Sequence, residues 1–181
     1  MFSHSTQADP LPLAAAPSDA TADPTGTQLL RLVVHQSGSQ ITTVTITERH
    51  DRPVLHVRAG ALFLYASAPE VVAAHLSVWR DTHLAARQML PAVTRVAPTP
   101  VLADGGELSV IVRQDSTPAV AVARYPMDRT RPARPAFIET VTGPIATRSY
   151  DRQSVGEVLG VWMQAAALGA IVWSSPALAD L

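Results

Sequence analysis

The chain of 181 residues contains no cysteine, no lysine and no asparagine, and only 5% of its residues are aromatic. Without cysteine it can form neither disulfides nor thiolate-ligated zinc or iron–sulfur sites. All of its basic charge is arginine, and 14 arginines stand against 15 acidic residues, for a formal net charge of −1. Proteins that bind nucleic acid non-specifically usually carry a strongly basic surface, so this balance does not favour that class.

Catalytic and metal-binding motifs are also missing. No serine lies in a G-x-S-x-G elbow, and the "ADGG" of residues 103–106 is not followed by the lysine and hydroxyl residue of a phosphate loop. His35, His50 and His56 have no carboxylate at a motif-like spacing, and His83 falls on the apolar stripe of a predicted helix. We therefore predict a protein that is not an enzyme and has no metal or cofactor.

Apolar stretches alternate with stretches rich in proline, glycine and polar residues, and this alternation divides the chain into segments. Residues 1–26 are rich in Ala, Pro, Ser, Thr and Asp and are predicted to be a disordered tail. This tail lacks the basic and continuous apolar regions of a signal peptide, so a cytoplasmic location is expected. A Pro- and Gly-containing linker is predicted over 91–106 and a polar tail over 175–181. Two segments remain, 27–90 and 107–174, and 47% hydrophobic residues suffice for a substantial core.

Each segment is predicted to contain four short strands followed by one helix. The first contains "LLRLVVH", "ITTVTITE", "VLHVR" and "ALFLYA", and the second contains "ELSVIVRQ", "AVAVARY", "FIETVT" and "IATRSY". The helices contain "VVAAHLSVW" and "SVGEVLGVW", which align Trp79 with Trp162. Two amphipathic helices can converge on such a pattern, but the shared strand order favours an internal duplication. We predict an α+β fold of two tandem ββββα halves, with antiparallel sheets and the helices packed on one side.

This layout resembles the whirly-type and PUR-type nucleic-acid-binding folds. The resemblance lies in the order of the elements alone, and none of their motif residues carries over. It implies single-stranded DNA or RNA as an alternative ligand. Fold likeness by itself is a weak basis for a function.

The two predicted helices differ in polarity. The first is expected to begin with a capping box in which Ser67 and Glu70 satisfy each other's backbone donors. The second follows Asp151 as N-cap, and its stretch Leu159–Trp173 is apolar nearly all round, yet shorter than the roughly 20 residues that a bilayer requires. A helix without a polar face is expected to be covered on several sides, between the halves or in a homodimer. The predicted interface residues are Leu159, Trp162, Met163 and Trp173.

Strand alternation separates a core face from an outer face that carries arginine, histidine and threonine. Such a face is either the solvent-exposed side of an antiparallel sheet or a surface that binds phosphates and carboxylates. Two loops, Glu48–Pro53 and Tyr125–Pro135, add further arginines, which are either solvated or a contact arm for an acidic partner. The candidate binding residues are Arg31, His56, Arg58 and Arg113 on the strands and Arg52, Arg129, Arg131 and Arg134 in the loops.

Together these observations predict a non-enzymatic binding or assembly module that self-associates and acts through protein–protein contacts, with no membrane partner. Binding of single-stranded nucleic acid is the alternative. A small-ligand enzyme with a site between the halves is the second alternative.

Overall fold

The fold is known from a computed structural model that describes residues 31–50, 52–94, 110–127, 130, 135–175 and 178. The predicted N-terminal tail of residues 1–26 lies outside the described residues, as do most of the predicted linker 91–106 and of the C-terminal tail 175–181.

Two runs of four strands and a helix make up the described chain, which confirms the predicted α+β fold with its repeated ββββα order. The first run comprises β1 (Leu32–Gln36), β2 (Thr42–Arg49), β3 (Arg52–Ala59), β4 (Leu62–Ala66) and α1 (Pro69–Met89). The second comprises β5 (Val110–Gln114), β6 (Val120–Tyr125), β7 (Phe137–Thr142), β8 (Ile145–Ser149) and α2 (Arg152–Val172).

The two runs are interleaved in space. One sheet has the order β1-β8-β7-β6 and the other the order β2-β3-β4-β5, so each run gives its first strand to the sheet of the other. We call them sheet 1 and sheet 2. The exchanged strands pair in parallel, β1 with β8 and β5 with β4, whereas all other pairs are antiparallel. The exchange makes the two runs dependent on each other for a complete sheet.

The helices reinforce this interleaving. Helix α1 packs on β6 and β7 of sheet 1, α2 packs on β2 and β3 of sheet 2, and the two helices contact each other. The core therefore lies between the inner faces of both sheets and the helix pair, with Leu55, Leu76, Ile145 and Trp162 among its fully buried side chains. Both sheets keep one outer face that neither α1 nor α2 covers.

Strand and helix registers relate the two runs closely. The helices begin at Pro69 and Arg152, 83 positions apart, which confirms the Trp79/Trp162 alignment. The turns between β3 and β4 and between β7 and β8 show the same separation, with Gly60 and Gly143 in the left-handed conformation. The offset between the first strands, β1 and β5, is 78 positions, and so is that between the second strands, β2 and β6. It is smaller than 83 because the loop before β7 is longer than the loop before β3. These offsets assign every strand position an equivalent in the other run.

A pair of buried glutamines at the exchanged strands illustrates the equivalence. Gln36 ends β1 and donates from Nε2 to Ala59 O at 3.3 Å, while Gln114 ends β5 and donates to the equivalent Thr142 O at 3.4 Å. The pair differs in its second partner. Gln114 Oε1 lies 2.7 Å from His75 Nε2, whereas Gln36 Oε1 has no partner among the described residues, since Val158 occupies the equivalent of His75.

The beginning of α1 differs from the prediction. Its N-cap is Ala68, without a side-chain cap, so the predicted Ser67–Glu70 capping box is wrong. Ser67 Oγ instead donates to Asp115 Oδ1 at 2.7 Å. The N-cap of α2 is Asp151 as predicted, and its carboxylate accepts from Ser154 N at 2.8 Å.

The length of α2 also requires a correction. The helix begins seven residues before Leu159, so its 21 residues are long and apolar enough to cross a membrane by length and composition alone. The same properties are typical of a helix in the core of a globular fold. Here Val155, Val158 and Trp162 are buried, and α2 packs against α1 and sheet 2.

Candidate functional site

Alternation along the strands places the polar residues on the outer faces as the sequence predicted. In sheet 2, Thr45 pairs with His56, His56 with Tyr65, and Tyr65 with Arg113, so these four side chains form one row across the sheet. A cleft of about 220 Å³ opens beside this row. It is lined by Thr47, Glu48, Arg49, Val54, His56, Tyr65, Ser67, Arg113 and Asp115.

Asp115 organises one wall of the cleft. Its Oδ1 accepts from Arg113 Nε at 2.8 Å and from Ser67 Oγ at 2.7 Å. The hydrogen bond from Arg113 is the main reason that the pKa of the Asp115 carboxyl is lowered, and Ser67 and the charge of Arg49 act in the same direction. The carboxylate therefore stays ionised and engages Nε of the Arg113 guanidinium.

His56 and Tyr65 form the floor of the cleft together with Val54. The imidazole and phenol rings pack with centroids 4.0 Å apart, and His56 Nε2 lies 2.8 Å from Thr47 Oγ1. Partial burial lowers the pKa of His56, so the ring is neutral at physiological pH. The floor is thus uncharged and largely aromatic, and the charge of the cleft lies on its Arg and Asp side chains.

The equivalent place on sheet 1 is filled. Tyr125 stacks on Phe137 with centroids 4.5 Å apart, and Phe137 contacts Tyr150 at 5.7 Å. Tyr150 also stacks on His35, whose Nδ1 lies 2.8 Å from the phenol oxygen. Burial, and secondarily the charge of Arg148, lowers the pKa of His35. We call this group of four rings the aromatic cluster.

Small side chains explain why only one of the two places is open. By the offsets above, Val54 is equivalent to Phe137 and Ser67 to Tyr150, so sheet 2 lacks two of the rings that fill sheet 1. A third ring is lost where Thr47 stands in place of Tyr125. The two outer faces therefore share a backbone arrangement, but the rings that fill sheet 1 are missing from sheet 2.

A buried carboxylate lies beside the aromatic cluster. Glu139 is equivalent to His56, and its side chain is only 5% exposed. It pairs with Arg31 and, at 2.8 Å, with Arg148 Nε, and Arg148 also lies over the Phe137 ring at 5.2 Å. Sheet 1 thus contains a carboxylate between two guanidinium groups where sheet 2 has a neutral imidazole.

The predicted binding residues do not form one patch. His56 and Arg113 line the cleft, and Arg58 lies on the same face, where it covers the Phe63 ring at 4.8 Å. Arg31 lies directly before β1 of sheet 1, where it pairs with Glu139, and Arg52 is exposed at the start of β3. Arg129, Arg131 and Arg134 lie outside the described residues.

Sequence reasoning missed the lining residues Tyr65, Ser67 and Asp115. The outward position of Tyr65 followed from strand alternation alone. Ser67 was predicted to cap a helix, and Asp115 directly follows the predicted strand "ELSVIVRQ". Their contact depends on the parallel pairing of β4 with β5, which neither segment reveals by itself.

The predicted interface residues of α2 lie in different environments. Trp162 is buried and stacks on His75 with centroids 4.1 Å apart, so its contacts are internal. Leu159 is partly buried, as is Trp173, whose Nε1 donates to Pro53 O at 3.3 Å. Met163 is 53% exposed, and Ile171, one of its neighbours on the same side, is 76% exposed. An open apolar surface therefore runs along α2.

No three His, Asp or Glu side chains of the described residues are grouped as a metal site requires. In comparisons with known proteins, the chain matches no protein-family model, no curated protein and no solved structure.

Proposed function

We propose that the protein is a non-enzymatic binding and assembly module that self-associates through helix α2. The observation that carries this proposal is the exposed surface of that helix. Gly160, Met163, Ala167 and Ile171 follow one another at spacings of three and four residues, which places them on one side of the helix. We call this surface the α2 face.

The equivalent surface of α1 has a different composition. The positions equivalent to the α2 face on α1 are Ser77, Arg80, Leu84 and Gln88. Three of these four are polar or charged, as is usual on the solvent side of a helix. From Val158 to Val172, α2 carries no charged residue at all. Since both helices occupy equivalent places in the fold, the apolar composition of the α2 face is not required for packing among the described residues, and contact with a partner accounts for it.

A second copy of the chain is the occupant that we propose. A twofold contact brings the same surface of both copies together, so each exposed apolar side chain of the face is buried in both copies. Fully burying a side chain of the size of Met or Ile contributes about 1.5–3 kcal/mol. Gly160 helps because a Cβ added there would meet no atom within 4 Å, which leaves room for a second backbone to approach.

Light scattering over a concentration series tests the proposal. We expect the mass to approach twice the 19.2 kDa of the chain at tens of micromolar. Ile171→Glu places a charge in the contact, and a desolvated unpaired charge costs several kcal/mol, so this variant is expected to be monomeric. The matched control is Leu84→Glu on the α1 surface, where the replaced leucine is also exposed, at 58%. A wild-type monomer throughout, or equal effects of both variants, contradicts the proposal.

Nucleic-acid binding is the second candidate, supported by the order of the elements and the outward arginines. Against it, Arg31 and Arg113 lie on different sheets and each pairs with a carboxylate. Titration of labelled single- and double-stranded oligonucleotides decides between the two. Binding that weakens steeply with salt would support this candidate, because each neutralised phosphate contributes nearly one unit to the logarithmic salt slope. No binding at low salt would eliminate it.

A further inference from the structure

We propose that the cleft on the outer face of sheet 2 binds a small monocarboxylate that carries an aromatic ring. The cleft lies on the side of sheet 2 opposite to α2, so this site does not depend on self-association through the α2 face.

Two guanidinium groups and two carboxylates border the cleft, those of Arg49, Arg113, Glu48 and Asp115. Arg113 and Arg49 both act on Asp115, the first through a hydrogen bond and the second through its charge. Because the two arginines share this carboxylate, Arg113 can still accept a second anion. A ligand carboxylate is therefore expected on the side of Arg113 that Asp115 leaves open.

Arg113 is held in a suitable orientation to receive a carboxylate. Asp115 engages its Nε, and no hydrogen bond to another described residue engages its two terminal nitrogens. Because Ser67 also donates to Asp115, the hydrogen bonds favour one orientation of the guanidinium before any ligand arrives. A planar guanidinium edge matches the two oxygens of a carboxylate, and a fixed orientation reduces the entropy lost on binding.

The floor of the cleft fits a ring. His56 and Tyr65 offer ring surfaces, and Val54 supplies an apolar base. Aromatic pairs of this kind contribute about 0.5–1.5 kcal/mol beyond the area that they bury.

Sheet 1 shows which groups this backbone accommodates at the same place. There Phe137 occupies the position of Val54, and Glu139 that of His56, with its carboxylate between two arginines. At these two positions sheet 1 thus carries a benzene ring and a carboxylate of its own chain, whereas sheet 2 has Val54 and His56 with an opening beside them. An aromatic monocarboxylate supplies both groups from outside.

Titration of the isotope-labelled protein with benzoate, followed by NMR, tests the site. For a ligand of this size we expect a dissociation constant on the order of 1 mM. Shift changes are expected in β3, β4 and β5. Benzamide has the same shape without the charge and is expected to bind at least tenfold more weakly. No shift changes up to about 20 mM benzoate, or equal binding of benzamide, would overturn the proposal.

Two variants locate the site. Val54→Phe introduces the ring that sheet 1 carries at Phe137 and is expected to abolish binding by filling the cleft. Arg113→Gln removes the guanidinium from an exposed position and is expected to weaken binding at least tenfold. Because this position is exposed, the variant tests the site even if Val54→Phe does not fold. The control is Arg58→Gln on the same face but outside the cleft, which is expected to bind as the wild type does. Binding unchanged in Arg113→Gln would refute the assignment.

A carboxylate beside an aromatic ring occurs both in free acids and at the C-terminus of a peptide that ends in phenylalanine. N-acetylphenylalanine carries the adjoining peptide group, so its affinity relative to benzoate distinguishes the sources. Tighter binding of N-acetylphenylalanine supports a peptide terminus, and tighter binding of benzoate supports a free acid.

Discussion

Acidification is expected to destabilise the fold through one buried imidazole, that of His75 on α1. The side chain is 1% exposed, with Nε2 hydrogen-bonded to Gln114 Oε1 and its ring stacked on Trp162. Nδ1 has no partner among the described residues, so an added proton on this nitrogen would find no acceptor. Burial lowers the pKa of His75 to about 4, although the hydrogen bond to Gln114 acts in the opposite direction.

The sign and size of the effect follow from linkage. In the unfolded chain the pKa of the imidazole returns to 6.5, so below this pH the unfolded state binds a proton that the folded state refuses. The contribution to stability is complete above pH 6.5 and is lost as the pH falls towards 4. A pKa difference of about 2.5 corresponds to about 3 kcal/mol, a large share of the 5–15 kcal/mol typical of a native protein.

His75→Val is the matched variant, since Val158 occupies the equivalent position on α2. It leaves Gln114 Oε1 without a partner and is expected to cost about 2 kcal/mol at neutral pH. Urea unfolding followed by the fluorescence of the three tryptophans gives the free energy of unfolding at each pH. The wild type is expected to lose about 3 kcal/mol more than the variant between pH 7 and pH 4. Parallel pH dependences of the two proteins would refute the reasoning.

Two further pairs of substitutions compare a buried or crowded position with an exposed or open one, with urea unfolding as the measurement. Glu139→Gln breaks a buried ion pair and is expected to cost about 3 kcal/mol, whereas Asp115→Asn changes an exposed pair and is expected to leave the midpoint nearly unchanged. Equal losses would contradict the assigned burial. Gly169→Ala adds a methyl group 2.8 Å from Leu178 and is expected to destabilise by about 1 kcal/mol. Gly156→Ala meets no atom within 4 Å and is expected to stabilise by about 0.5–1 kcal/mol, so a loss there would be unexpected.

Local pattern predicted the elements well because each depends on its own residues. Strand alternation placed His56, Arg58 and Arg113 on an outer face, and the structure has all three on the outer face of sheet 2. The shared tryptophan register predicted the equivalence of the helices, and Asp151 predicted the start of α2. These inferences need no knowledge of the partner strand.

Long-range pairing accounts for what the sequence did not reveal. The exchange of β1 and β5 between the sheets depends on contacts between residues as far apart as Leu32 and Ile145. The same pairing brings Ser67 to Asp115 and removes it from the expected helix cap. His75 lies three residues after Val72 and four before Trp79, on the buried side of α1, but its stacking on Trp162 follows from the crossing of α1 and α2. The cleft was missed because it arises from missing rings at positions that can be compared only once the registers are known.

The central claim, self-association through the α2 face, is tested most directly by measuring the distance between labels on two copies. The chain has no cysteine, so Gln164→Cys at the margin of the α2 face gives a single labelling site, and Asp81→Cys gives its equivalent on α1. Contacting helices lie about 8–10 Å apart, so spin labels at position 164 of two copies are expected within about 25 Å by pulsed electron paramagnetic resonance. Labels at position 81 are expected to be clearly farther apart. The absence of any inter-copy distance at position 164, or a shorter distance at position 81, would contradict the account.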